Sequence, residues 1–162
     1  MSIVSASPRA GNKALVTLPR PTARVRLNDQ GWTGDLGEHA EFEEVVAWAG
    51  RGTVYSPWHN DPVDADDAEA FASCLLVACS VAGMPEQAGM DSAAAVTIPL
   101  PKPDPTDSES HEPGYTYFGR VAARGGDPML LVDGEFIGVR EAWSGALKLI
   151  AAGRIARRGC AA

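Results

Sequence analysis

The chain has 162 residues, a net charge of −7, 45% apolar and 22% charged side chains, and three cysteines. Such a length buries a core without disulfide or metal staples, and the composition excludes a wholly disordered chain. The acidic balance excludes broad coating of nucleic-acid phosphate, and no apolar window approaches the roughly 20 residues that cross a bilayer.

In chain order, residues 1–35 read as a basic N-terminal arm and residues 36–162 as a single α+β domain. The first 27 residues carry Arg9, Lys13, Arg20, Arg24 and Arg26 and no acid. Residues 14–18 and 23–27 alternate with the period of a strand, which sets Arg24 and Arg26 on one face. Pro19 and Pro21 bar a continuous central strand, so an edge hairpin and an arm reaching another subunit both fit. Asp35, followed by Glu38 three residues on, is a helix-start pattern. The spacing of Phe42, Val45, Val46 and Ala49 then predicts a helix over 36–49, with Glu41, Glu43 and Glu44 on its polar side and Gly50 and Gly52 beyond its end. A short apolar run at 53–55 stops at Pro57.

A second helix is predicted over 65–82, led by Asp64, Asp66, Asp67 and Glu69, whose charge suits the positive end of the helix dipole. From Ala70 to Met84 the sequence holds no charge, so this helix is expected to be buried on nearly all sides. Residues 98–115 hold five prolines among acids and serines and read as a mobile acidic loop inside the domain. An antiparallel meander is expected next: a strand over 115–123, a turn at 124–127, a strand over 129–132, an Asp133-Gly134 hairpin turn and a returning strand over 135–138. A third helix is predicted over 140–152, with Trp143, Ala146, Leu147 and Ile150 on one face and Gly153 as its stop. The last 26 residues carry Arg140, Lys148, Arg154, Arg157 and Arg158 against Glu141 alone. Residues 28–136 between the basic ends hold four basic and twenty acidic side chains.

Few residues carry a chemical signal. Cys74 and Cys79 lie five apart on the second predicted helix, about 140° around its axis, which suits neither a shared metal nor a disulfide. They read as buried apolar groups, and Cys160 as an exposed thiol. The odd cysteine count and the absence of an apolar signal core in the first residues lead to the expectation of a soluble protein made in a reducing, cytoplasmic compartment. His59, amid Asp61, Asp64, Asp66 and Asp67, offers a proton-transfer reading, though the spacing lacks a calcium-loop pattern and helix capping explains the same acids. No catalytic residue, metal ligand or cofactor is assigned.

Residues 56–62, Ser-Pro-Trp-His-Asn-Asp-Pro, resemble a segment of soluble inorganic pyrophosphatases, without that family's clustered catalytic aspartates. Residues 127–138, Asp-Pro-Met-Leu-Leu-Val-Asp-Gly-Glu-Phe-Ile-Gly before a helix, resemble the C-terminal hairpin of glutaredoxins. That resemblance implies a cis-proline at Pro128 and a hairpin that helps hold glutathione. It covers 12 of 162 residues, and the family's active-site cysteine after a strand has no counterpart upstream.

The expected fold is a single α+β domain with an antiparallel meander, about three helices and an extended N-terminal arm or hairpin. The expected function is that of a non-enzymatic subunit of a larger assembly, a virion head, neck or tail component among those that fit. Protein neighbours in a homo- or hetero-oligomer would be held by Arg9, Lys13, Arg20, Arg24, Arg26, Arg154, Arg157 and Arg158 on one side and by Glu41, Glu43, Glu44, Asp66 and Asp67 on the other. Nucleic acid and membrane are not expected as partners. An acidic module that neutralises a basic partner, as immunity proteins and antitoxins do, is the alternative. An enzyme using His59 and a nearby carboxylate is a further one.

Overall fold

A computed structural model describes residues 13–25, 39–48, 51–83, 95–105 and 112–161. Its elements are β1 (Lys13–Thr17), β2 (Ala23–Val25), β3 (His39–Phe42), β4 (Val45–Trp48), β5 (Thr53–Tyr55), β6 (Val63–Asp64), α1 (Ala65–Ala82), β7 (Ala95–Pro99), β8 (Thr116–Phe118), β9 (Val121–Ala123), β10 (Met129–Val132), β11 (Glu135–Gly138) and α2 (Val139–Ala161). The strands form three antiparallel sheets, in the orders β1-β7, β11-β10-β9-β8 and β2-β3-β4-β5-β6. The chain is broadly α+β, but the expected single meander with about three helices is corrected to three sheets and two helices among the described residues. No helix among them is long and apolar enough to cross a membrane.

Two compact units share the chain. One comprises Leu18–Ala72 and Leu147–Ala162 and holds the five-stranded sheet. Here the predicted first helix is replaced by the β3–β4 hairpin, with Phe42 opposite Val45 and Ala40 opposite Ala47. Ala40, Phe42, Val45, Ala47 and Val54 are all buried, so an alternating pattern fills one sheet face. Phe42 alone contributes about 1.5–3 kcal/mol by that burial. A helix would have given up the pairing with β2 and β5 that satisfies these backbones on both sides. The connection needs Glu43 in the left-handed region, at φ 59°. Asp35 and Glu38, the predicted helix start, lie outside the described residues, as does the expected arm–domain boundary at 35/36. The unit's core is completed by Ala65, Ala68, Phe71 and Ala72 of α1 and by Leu149, Ile150, Ala152 and Ala156 of α2.

The other unit draws on Met1–Thr17 and Ser73–Ala146. β1 pairs with β7, from Lys13 opposite Pro99 to Thr17 opposite Ala95. β1 and β2 therefore belong to different sheets, which corrects the expected N-terminal hairpin. The strand predicted over 115–123 is two strands, β8 and β9, because Gly119 turns the chain at φ 64°. The Asp-Gly turn between β10 and β11 has the expected two left-handed residues, Asp133 at φ 51° and Gly134 at φ 85°. Beneath the four-stranded sheet, Phe118, Val121, Leu130 and Val132 are buried, as are Leu75, Leu76 and Cys79 of α1. Part of the proline-rich stretch is held along β8: Asp104 N–H donates to the Tyr117 carbonyl at 2.8 Å, and Gly119 N–H donates to Asp104 Oδ2 at 2.9 Å.

Helix α1 keeps the predicted bounds of 65–82. Helix α2 runs past Gly153 to Ala161, which corrects the predicted stop. A Cβ on Gly153 would lie 3.0 Å from Glu69 Cγ and 3.3 Å from the Ala65 carbonyl oxygen, so the glycine serves close approach within the helix and not its end.

Candidate functional site

The charged residues come together mainly in the first unit. Lys148, on α2, places its ammonium 2.6 Å from Glu43 and 3.3 Å from Glu44, the two residues of the β3–β4 turn. Partial burial pulls the Lys148 pKa down, but hydrogen bonds and attraction from both glutamates outweigh it and hold the amine above its ordinary 10.5. Arg157 reaches Asp66 at 2.5 Å and also pairs with Glu69, while Arg154 Nε stands 4.0 Å from Glu69 Oε1. For Arg157 too the acids outweigh a lowering by burial, and its pKa is raised. Much of the C-terminal positive charge thus meets acids of its own chain. The backbone of Glu41 is occupied as well, since Thr22 donates to its carbonyl through both N–H and Oγ1.

The remaining charged residues are distributed. Lys13 on β1 and Arg20 beyond it are exposed, and Asp67 is exposed in the first turn of α1. Arg24 sits opposite Ala40 in the sheet register, and Arg158 continues α2. Arg9 and Arg26 lie outside the described residues.

The residues with chemical potential have the following surroundings. Ser56 is fully buried; its Oγ accepts from Trp58 N–H at 3.2 Å and lies 3.0 Å from His59 Nδ1. The His59 ring meets Phe71 edge-on at 5.1 Å. Together these groups shape a turn that leads into β6 and α1. Cys79 is buried and donates to the Val139 carbonyl at 3.4 Å, and burial pushes its thiol up to about 12. Burial, then the charge of Asp104, also raises Cys74. Neither sulfur is poised as a thiolate near neutral pH. All peptide bonds described are trans, including that before Pro128, unlike the glutaredoxin hairpin. No group of three or more metal-binding side chains gathers among the described residues.

A different surface stands out in the second unit. In the register of the four-stranded sheet, Tyr117, Ala122, Leu131 and Phe136 form a cross-strand row from β8 to β11. Ala122 is fully buried and Leu131 half-buried, but Phe136 is 60% exposed on the edge strand. Met129, on the same face of β10, is 38% exposed and lies opposite Gly138. On the two-stranded sheet Leu15 is 73% exposed.

No family model, curated protein or solved structure matches this chain. The surface therefore has to be read on its own chemistry. Sequence reasoning missed it because Phe136 alternates with Glu135 and Ile137 in a way that leaves the buried face undecided. The signal available was Gly138, a residue with weak strand propensity at the end of an otherwise strong hairpin.

Proposed function

We propose that this chain is a non-enzymatic subunit of a larger protein assembly, with a virion head, neck or tail component as the narrower form of that reading. The observation that carries it is the exposure of large apolar side chains on strands, Phe136 at 60% and Leu15 at 73%. Phe136 has exposed Met129 as its diagonal neighbour across the β10–β11 pair, and apolar exposure at a sheet edge marks a surface completed by another polypeptide. The basic N-terminal stretch supports the same reading: Lys13 and Arg20 are exposed, with no ion pair among the described residues, while the body offers exposed acids at Asp61, Asp64 and Asp67.

Light scattering after size exclusion, run across protein and salt concentration, tests the reading. Species well above the 17.0 kDa chain are expected. Salt should loosen them by screening the charged part while leaving the apolar part in place. A 17.0 kDa monomer under every condition, with no partner captured from the native source, would overturn the reading.

A further inference from the structure

We infer that β11 is the edge through which two copies of this chain join, in antiparallel register with Phe136 of each strand opposite Gly138 of the other. The inference rests on the assembly reading and names its first contact.

The hairpin sets which backbone groups are available. A two-residue Asp133-Gly134 turn makes Val132 and Glu135 a hydrogen-bonded pair, and the alternation makes Leu130 and Ile137 the next one. The N–H and C=O of Phe136 and the N–H of Gly138 consequently point away from β10. β11 is the last strand of its sheet, so among the described residues no strand receives them. Two such edges related by a twofold axis perpendicular to the sheet keep their faces aligned, and the Gly138 N–H of each donates to the Phe136 carbonyl of the other, the Gly138 carbonyl being the first acceptor of α2.

Side chains select the register and the occupant. With Phe136 opposite the copy's Gly138, each ring lies over a residue that has no side chain and reaches the copy's Met129, which is the cross-strand neighbour of that glycine. Gly138 has room for this: a Cβ built there meets nothing within 4 Å, and its φ is not in the left-handed region. Glycine also suits this position as the residue that leads into α2, and the space above it is open to a ring from the copy. The same register covers both exposed apolar residues of the face, Phe136 and Met129, and extends the row from Leu131 across the junction. It is also complementary in charge, since it brings Glu135 of one strand to the Val139–Arg140 end of the other, and both Glu135 and Arg140 are exposed.

The test is a concentration series by sedimentation equilibrium on the full chain and four variants, with circular dichroism and thermal melting to verify folding. Phe136→Lys is expected to weaken self-association at least about tenfold. Glu135→Lys and Arg140→Glu should each weaken it roughly fivefold, because each sets like charges together twice across the axis, and the two combined should restore it. All three positions of change are exposed, so the melts should match the parent. Self-association unaffected by Phe136→Lys, or a double reversal that restores nothing, overturns the inference while leaving assembly through another surface intact. A parent chain that is monomeric yet enters a mixed complex also overturns only the inference; one that is monomeric and captures nothing overturns both readings.

Discussion

Any side chain at position 153 has to displace Glu69, because even the first carbon would lie 3.0 Å from its Cγ. Alanine is better than glycine in a helix by about 1 kcal/mol, so propensity alone favours Gly153→Ala. Overpacking opposes it by about 1–3 kcal/mol, and the displaced carboxylate also leaves its pairing with Arg157. The net expectation is a lower melting temperature for Gly153→Ala, measured by calorimetry; an unchanged or raised midpoint would show that the helix gain dominates. Asp127 is a contrasting single residue. Its carboxylate accepts from Met129 N–H at 3.0 Å and pairs with Arg124, and these bonds hold its pKa below the ordinary carboxylate value. It fixes the chain's entry into β10, and the two bonds outweigh the opposing effect of its partial burial.

At the level of elements, the turn of the β3–β4 hairpin and helix α2 are joined through Lys148. Glu43 and Glu44 are 62% and 48% exposed, so each pair is worth only about 0.2–1 kcal/mol. The folded-state pKa of Lys148 is raised, so its contribution is complete below 10.5 and fades as pH climbs through the higher folded value. Urea denaturation of the parent and Lys148→Met should accordingly differ by about 1 kcal/mol near neutral pH, with the gap closing in strong alkali. A gap that widened with pH would contradict the assignment. The same hairpin shows where sequence reading failed. Phe42 and Val45, three apart, satisfy a helical period as well as two facing strand positions, and Glu43-Glu44 is not a typical turn pair, so only pairing with β2 and β5 decides between them. Asp133-Gly134 is the opposite case, since its turn geometry is dictated by the two residues themselves and was legible. Helix α1 was legible for a similar reason, with acids at its start and an uncharged run behind them. The edge surface at Phe136 was not, because exposure at a sheet edge depends on which strand comes last, and strand order is set by contacts distant in sequence.

For the molecule as a whole, segregated charge was visible in the sequence, but its use was not. Three cations of the C-terminal stretch, Lys148, Arg154 and Arg157, lie beside Glu43, Glu44, Asp66 and Glu69 of the same unit. Charge separation along a chain says nothing about whether the halves meet within one copy, since the meeting depends on where two distant segments fold. The alternation of the two units along the sequence has a practical corollary. Each is assembled from two stretches, Met1–Thr17 with Ser73–Ala146 and Leu18–Ala72 with Leu147–Ala162. A single backbone scission anywhere between residues 73 and 146 thus leaves both fragments owning portions of each core. The severed pieces should co-purify and renature only when mixed, as read by recovered circular dichroism, and neither half is a candidate for expression by itself.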